Sequence, residues 1–160
     1  MKKKIRVDFH CESKKWPRRI PKIKKITNKT LKIMNKYFEK RNFYNLNLIF
    51  SDRIKVTKLN KKYKKVNKDT DVLTFVTKEP NKYLGKNLYC DIFFSIDTIE
   101  SFIEDKNITL YDHFNHLLVH SFLHINGYDH KNNNQFIKMK KHEIQILKQF
   151  NIKNPYLLNV

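Results

Sequence analysis

Apolar and polar residues in the first half of the chain switch between the two-residue period of strands and the longer period of helices. Ile5, Val7 and Phe9 alternate with polar neighbours and predict a first strand. After Pro17 and Pro21 the apolar positions follow a helical period, which predicts an amphipathic helix with lysines on its outer side. Those positions are Ile23, Ile26, Thr30, Met34, Tyr37 and Phe38.

The next two predicted elements are a strand and a short helix. Alternation over residues 46–50 predicts the strand. Either Ser51 or Asp52 can cap the helix that follows, because both side chains can accept a hydrogen bond from a backbone N–H of the first turn. The apolar stripe of this helix comprises Val56, Leu59 and Tyr63.

Two further stretches, residues 71–76 and 88–95, are typical of central strands or of a hairpin joined through residues 79–81. Ser95 can cap a helix with isoleucines at positions 96, 99 and 103. A terminal helix is marked by Phe136, Met139, Glu143 and Leu147. The predicted order is β-α-β-α-β-β-α-α-α, which indicates an α/β fold of the α+β type. We expect one small sheet, mostly antiparallel or mixed, in a single domain over residues 1–160.

One predicted helix carries four of the seven histidines of the chain. Thr109 and Asp112 have the spacing of a capping box and predict its start. One face of this helix is apolar and comprises Phe114, Leu118, Phe122 and Ile125. The opposite face comprises His113, His116, His120 and His124, and Val119 and Leu123 flank it. A helix that is apolar on most sides is buried, and imidazoles in buried surroundings need partners.

The spacing of three histidines predicts a metal site. His120 and His124 are one helical turn apart, so both imidazoles can face one ion. The pair Asn126-Gly127 can end the helix, because glycine accepts the left-handed conformation of a C-terminal cap, and the chain can then return His130 to the first two. Three imidazoles leave a coordination position open, an arrangement associated with catalytic zinc. We therefore predict one Zn²⁺ per chain, although nickel and copper also accept imidazole.

The same stretch, HFNHLLVHSFLHINGYDH, together with TDVLTF at residues 70–75, resembles the YbeY family of bacterial endoribonucleases. The resemblance extends from the first strand to the Asn154-Pro155-Tyr156 tail. It implies a zinc-binding, zincin-like domain with a central buried helix, in which His120, His124 and His130 are the metal ligands. It also implies a single-strand-specific endoribonuclease that matures the 3′ end of 16S rRNA in the small ribosomal subunit and takes part in ribosome quality control.

Two positions depart from the family pattern. The family usually has glycine where Ser121 stands and arginine where Lys64 stands. The resemblance implies that Lys64 contacts the RNA phosphate, as a point charge in place of the planar fork of arginine. The alternative is that Lys64 is one more solvated lysine of a basic run.

Two neighbours of the ligands are candidates for supporting roles. Asp129 can orient an imidazole through its free N–H, or it can cap the helix end as a turn carboxylate. His116 lies one turn before His120, and its lateral displacement from His124 favours a supporting or packing role over a fourth ligand.

The composition indicates where the protein works more clearly than it indicates which reaction the protein catalyses. The net charge of +19 fits RNA, yet lysines spread along every segment fit a solvated surface equally well. Cys11 and Cys90 form no C-x-x-C pair, so neither a zinc ribbon nor a disulfide scaffold is indicated, and a reducing cytoplasm is expected. We expect no signal peptide and no membrane-spanning segment, because no apolar run is long enough.

Two other functions compete with the nuclease. A zinc peptidase of the H-E-x-x-H type needs glutamate directly after the first histidine, and Ser121 occupies that position, which disfavours peptidase activity. A ribosome-associated assembly factor with a structural metal would use the basic surface for binding alone, and the absence of arginine at position 64 favours it.

Overall fold

The computed structural model describes residues 4–157, which contain five α-helices and one four-stranded sheet. The strands are β1 (Lys4–Cys11), β2 (Phe43–Ser51), β3 (Val72–Pro80) and β4 (Lys86–Ser95). The helices are α1 (Ile20–Ile33), α2 (Arg53–Lys64), α3 (Ile96–Ile103), α4 (Leu110–Ile125) and α5 (Asn133–Lys148). Their order along the chain is the predicted one.

The sheet is mixed, with the strand order β1-β2-β4-β3. β1 pairs with β2 and β2 with β4 in parallel, whereas β3 and β4 form an antiparallel hairpin. Alternate residues of β2 and β4 are buried, and the register places Leu48 opposite Ile92 and Phe50 opposite Phe94. The predicted α+β class with one small mixed sheet is therefore confirmed. The zincin-like part of that prediction is not confirmed.

The β3–β4 hairpin turns through residues 81–85. Asn81 holds the turn, because its Oδ1 accepts hydrogen bonds from the backbone N–H groups of Tyr83 and Gly85. Its amide nitrogen donates to the carbonyl oxygen of Arg41 at 2.9 Å. A Cβ atom at Gly85 would lie 2.2 Å from that same oxygen, so only glycine fits at this position.

Two predicted helices differ in detail from the sequence pattern. α1 ends at Ile33 and is followed by a 3-10 turn, Asn35–Tyr37, whereas the apolar spacing predicted one helix through Phe38. α2 buries Val56 and Asn60, and the predicted stripe residue Tyr63 is 56% exposed. Asn60 is buried because its amide donates to the carbonyl oxygen of Lys68 and so anchors the loop that follows.

The described residues form two compact units. The first unit comprises residues 4–20 with Phe38–Ser101 and contains the sheet and α2. The second unit comprises Pro21–Tyr37 with residues 102–157 and contains α4 and α5, which pack against each other. The prediction of a single domain over the whole chain remains a prediction. No helix between residues 4 and 157 has the length and apolar character needed to cross a bilayer.

Thr109 caps α4 as predicted, since its hydroxyl accepts a hydrogen bond from the backbone N–H of Asp112 at 3.1 Å. We expect Thr109→Ala to lower the free energy of unfolding by about 1 kcal/mol, the typical loss for an N-cap side chain. Thr57→Ala is the matched control, because the Thr57 hydroxyl has no hydrogen-bond partner among the described residues. Urea unfolding of both variants checks this, and an equal effect would contradict the cap.

Candidate metal centre

The helix α4 is buried along most of its length. Phe114, Leu118 and Phe122 have no exposed surface and form its apolar side, as the sequence pattern predicted. His116, His120 and His124 lie on the other side and are half-buried. This helix therefore holds two of the three predicted ligands, His120 and His124, one turn apart on a rigid support.

A C-terminal cap brings the third histidine to the first two. Gly127 has a φ of +95°, the left-handed region that glycine adopts without strain. The N–H of Tyr128 donates to the carbonyl oxygen of Leu123, and the N–H of Gly127 donates to that of His124. These two hydrogen bonds form a Schellman motif, which reverses the chain at the end of the helix. The loop then leads directly to His130.

The three histidines converge. His120, His124 and His130 each offer a ring nitrogen, and these nitrogens all lie within 4.8 Å of one another. The Nε2 atoms of His120 and His124 are 3.1 Å apart. The ring of His130, which is exposed, lies 5.4 Å from that of His120 and 4.9 Å from that of His124, measured between centroids. Three imidazoles at these distances could hold a metal ion.

The hydrogen bonds that Nδ1 makes in His120 and His124 determine which nitrogen of each ring can bind a cation. Nδ1 of His124 lies 2.9 Å from the carbonyl oxygen of Tyr128. A carbonyl oxygen only accepts, so Nδ1 carries the proton and Nε2 keeps its lone pair. Burial, with a smaller contribution from the neighbouring His120 and His130, lowers the pKa of His124 to about 4. His124 is therefore neutral at pH 7, which is the state that binds metals.

A buried carboxylate fixes His120 in the same way. Glu143, on α5, is fully buried and accepts a hydrogen bond from Nδ1 of His120. Burial by itself would raise the pKa of Glu143, but the hydrogen bonds from His116 and His120 lower it to about 2. The ionised carboxylate only accepts, so Nδ1 of His120 carries a proton. In the neutral form of this ring, Nε2 faces Nε2 of His124 with a lone pair. Two lone pairs 3.1 Å apart repel unless a cation lies between them.

Glu143 has two further partners. Nε2 of His116 lies 3.2 Å from Oε2 of Glu143, and the hydroxyl of Tyr156 donates to the same oxygen. Burial raises the pKa of the Tyr156 phenol, and its hydrogen bond to Glu143 raises it further. Tyr156 comes from the 3-10 turn Pro155–Leu157, so the Asn154-Pro155-Tyr156 tail contributes a side chain to the support of His120.

Comparisons with known proteins identify the family to which the chain belongs. The family model "Endoribonuclease YbeY" matches residues 8–151 of the chain. The chain belongs to the YbeY family. A protein named endoribonuclease YbeY from Ehrlichia chaffeensis is 35% identical over 157 residues, which cover 94% of this chain and 97% of the relative. A protein of the same name from Ehrlichia canis is 34% identical over 156 residues, with the same coverage of both chains.

A solved structure shares the fold of this chain. The solution structure of TM1509 from Thermotoga maritima matches with a TM-score of 0.56 at 23% sequence identity, and the match covers 92% of this chain and 91% of that one. At this level of identity the likeness supports the fold alone.

The structure shows the contacts of the two residues for which the sequence suggested a supporting role. His116 contacts Glu143, which is consistent with a supporting role and not with a fourth ligand. The hydrogen bond that the structure gives to the Asp129 side chain comes from the backbone N–H of His130 at 2.8 Å, as in a turn carboxylate. Ser121 is buried and donates to the carbonyl oxygen of Leu117, so no general base follows the first histidine.

Glu143 is the residue that the sequence analysis did not assign to the site. The sequence did indicate that Glu143 needs polar partners. Met139, Glu143 and Leu147 share the buried face of α5, and a carboxylate is costly in such a position without partners. The partners themselves come from another helix and from the tail, 13 to 27 residues away along the chain. Sequence spacing alone does not reveal them.

Lys64 belongs to the first unit, whereas the three histidines belong to the second. It is the last residue of α2 and is exposed, and its ammonium group lies 5.3 Å from the centroid of the Phe75 ring. Lys65 follows in the left-handed conformation and ends the helix. The role of Lys64 at the phosphate remains a proposal.

The lowered pKa of His124 predicts a pH dependence of the metal-free protein. In the unfolded chain this histidine takes up a proton near its ordinary pKa of 6.5, whereas in the folded chain it does so only near 4. The unfolded state therefore binds more protons between these values, and we expect the free energy of unfolding to fall as the pH decreases from about 6.5 to about 4. Urea unfolding of chelator-treated protein at several pH values measures this. His124→Gln should have a shallower dependence, and an unchanged slope would contradict the assignment.

Proposed function

We propose that this chain is a zinc-dependent endoribonuclease that acts on single-stranded regions of ribosomal RNA precursors. Membership of the YbeY family and the named relatives support endoribonuclease activity on RNA. The observation that carries the metal dependence is the convergence of three histidine nitrogens within 4.8 Å. In finer detail, we propose that the enzyme matures the 3′ end of 16S rRNA on the small ribosomal subunit, serves ribosome quality control and works in the cytoplasm.

The donor set favours one Zn²⁺ per chain. Neutral imidazole is a preferred ligand of zinc, and sites with three protein ligands are typical of catalytic zinc because a position remains for water or substrate. His120 and His124 would each bind through Nε2, since Nδ1 of each ring is engaged in an outer hydrogen bond. His130 would complete the set from the loop.

When bound, a divalent ion supplies charge stabilisation of phosphoryl oxygens and lowers the pKa of a coordinated water to about 7. The protein orients the ligands that would hold it. Glu143 keeps the His120 ring in one tautomer, and the carbonyl group of Tyr128 does the same for His124. Because His124 stays neutral well below pH 7, this ligand is ready to bind a metal at physiological pH. The nucleophile is either water or the neighbouring ribose 2′-hydroxyl.

Lys64 is our candidate for the phosphate contact. Its exposed ammonium group carries a charge that the contact with the Phe75 ring does not neutralise. A lysine attracts a phosphate as a point charge, without the bidentate geometry of arginine. Lys62 provides a matched control, because it is an exposed lysine of the same helix whose ammonium lies 5.0 Å from the centroid of the Tyr63 ring.

We expect the zinc-loaded protein to cut unstructured RNA and to leave duplex RNA intact, and we expect chelation to stop cleavage and added zinc to restore it.

Lys64→Ala should lower kcat/KM about 10-fold or more, since it removes a charge-stabilising interaction, whereas Lys62→Ala should have little effect. Gel analysis of labelled RNA measures this, and a cyclic phosphate at the new 3′ ends would indicate attack by the 2′-hydroxyl. Equal effects of the two lysine variants would contradict the role of Lys64.

The second candidate is a ribosome-associated assembly factor with a structural metal. The specific observation in its favour is Lys64 itself, which stands where the family usually has arginine. A metal-loaded protein that binds small-subunit RNA without cutting it, and that unfolds when a ligand is replaced, would establish this function and exclude the nuclease.

A further inference from the structure

The second unit carries a surface of aromatic rings and lysines next to the histidine loop. Three half-buried rings contact one another edge to face, with centroids 4.8 to 5.9 Å apart, and three exposed lysines surround them. We call this surface the aromatic–lysine patch, and its members are Tyr37, Tyr128, His142, Lys36, Lys138 and Lys141.

The rings of the patch are fixed by contacts within the unit. The hydroxyl of Tyr37 and Nδ1 of His142 are hydrogen-bonded at 2.7 Å. The Tyr128 ring lies 4.8 Å from the His142 ring and 5.9 Å from the Tyr37 ring. Such mutual contacts hold the rings in place before any ligand arrives, which lowers the entropy cost of binding.

The lysines give the patch a positive charge. The ammonium of Lys36 lies 5.5 Å from the centroid of the Tyr37 ring, and that of Lys138 lies 5.6 Å from the centroid of the Tyr128 ring. Burial lowers the pKa of His142, and the charges of Lys138, Lys36 and Lys141 lower it further. All three ammonium groups are therefore close enough to His142 to act on it electrostatically. At neutral pH the patch carries three positive charges from the lysines.

The patch is continuous with the candidate metal centre through Tyr128. The carbonyl oxygen of Tyr128 holds the His124 ring, and Tyr128 lies two residues before His130. An RNA strand bound at the three histidines would therefore reach the patch along residues 128–130.

We infer that the aromatic–lysine patch binds single-stranded RNA next to the cleavage site, with bases stacked on the tyrosine rings and phosphates held by the lysines. Proteins that bind single strands combine aromatic rings with a positive surface in this way, because every base has a face that stacks and every nucleotide has a negative charge. Duplex RNA buries the faces of its bases, so the patch also favours single strands over duplexes. This inference rests on the proposed function, since it assumes that RNA reaches the histidines.

The stacking part is tested with two variants of one residue. Tyr37→Leu removes the aromatic face. Tyr37→Phe removes the hydroxyl and its hydrogen bond to His142, but it keeps the ring and the edge-to-face contacts that hold it in place. We expect Tyr37→Leu to bind a nuclease-resistant single-stranded oligonucleotide, a 2′-O-methyl phosphorothioate, about 10-fold more weakly than wild type, as for the loss of one stacked base. Tyr37→Phe should bind within about 2-fold of wild type. Fluorescence anisotropy with the zinc-loaded, full-length protein measures both.

The charge part is tested with two double variants that lose the same charge. Lys36→Ala with Lys138→Ala removes two lysines of the patch. Lys22→Ala with Lys29→Ala removes two lysines of the same unit that lie over the rings of Tyr111 and Phe150, at 4.2 and 4.9 Å. A plot of log affinity against log salt concentration has a negative slope. We expect the magnitude of this slope to decrease by about 0.7 for each phosphate that the protein no longer neutralises, in the patch variant only.

Three results would overturn the inference. One is equal behaviour of the two double variants together with equal binding by Tyr37→Leu and Tyr37→Phe. Another is a wild-type protein that does not bind the oligonucleotide. The third is binding of a polyglutamate peptide that depends on Lys36 and Lys138 while RNA binding does not, which would indicate a protein-docking surface. RNA cleavage by wild type is measured separately, so loss of the proposed function and loss of the patch give different results.

Discussion

Replacing His130 with alanine is expected to abolish zinc binding and RNA cleavage while leaving the fold intact. His130 is exposed on a loop, so its removal takes a ligand away without opening a cavity in the core. Two imidazoles then remain, and we expect affinity for zinc to fall by more than the roughly 10–100-fold that the loss of an outer hydrogen-bond partner costs. Competition with a chromophoric chelator measures the affinity, and circular dichroism measures the fold.

His10→Ala is the matched control for this experiment. His10 is also exposed, at the penultimate position of β1, and it lies outside the three-histidine cluster. We expect it to bind zinc and to cut RNA as wild type does. If His130→Ala still bound zinc at wild-type affinity, the three-histidine site would be wrong. If it lost zinc and unfolded, the metal would be structural and the assembly-factor function would be favoured.

Replacing Glu143 with glutamine is expected to have the second-largest effect. The carboxylate accepts from three donors, those of His116, His120 and Tyr156. An amide offers one acceptor oxygen and places its own N–H₂ group against donors, so at least one buried donor loses its partner. We expect a loss of about 1–3 kcal/mol in the free energy of unfolding and a roughly 10–100-fold loss in zinc affinity.

The control for Glu143→Gln is Glu100→Gln. Glu100 pairs with Arg19 at 3.3 Å on the surface, where both side chains are partly exposed, so we expect a loss of only about 0–1 kcal/mol. The tautomer of His120 provides a readout that a purely structural role would not change. Nitrogen chemical shifts of the metal-free protein should show the Nδ1–H form of His120 in wild type and a mixture of tautomers in Glu143→Gln. Unchanged shifts would contradict the positioning role.

The sequence predicted the elements and the histidine cluster because both depend on local spacing. The period of apolar residues predicted the type and order of the helices and strands, and the helical turn between His120 and His124 together with Gly127 predicted the approach of His130. The Thr109 cap followed from the same kind of short-range pattern. Whether these histidines bind zinc remains the proposal that the His130 experiment tests.

Features that depend on tertiary contacts could not be predicted in this way. Glu143 meets His120 only after α5 packs against α4, and Tyr156 reaches it from the tail. In α2 the exposed Tyr63 and the buried Asn60 depart from the apolar pattern, because Asn60 makes a hydrogen bond to Lys68 that the pattern does not show. The division into two units likewise arises from long-range packing and left no mark in composition.

The two glycines of this chain, Gly85 and Gly127, limit how its sequence can change. A methyl group at Gly85 would push the β3–β4 hairpin away from the carbonyl oxygen of Arg41. At Gly127 nothing lies in the way of a side chain, and the obstacle is the backbone angle alone. Gly85→Ala should therefore not be tolerated, because the methyl group would clash with the backbone of Arg41. Gly127→Asn should be tolerated at a modest conformational cost, since asparagine is the residue that best substitutes for glycine in left-handed caps.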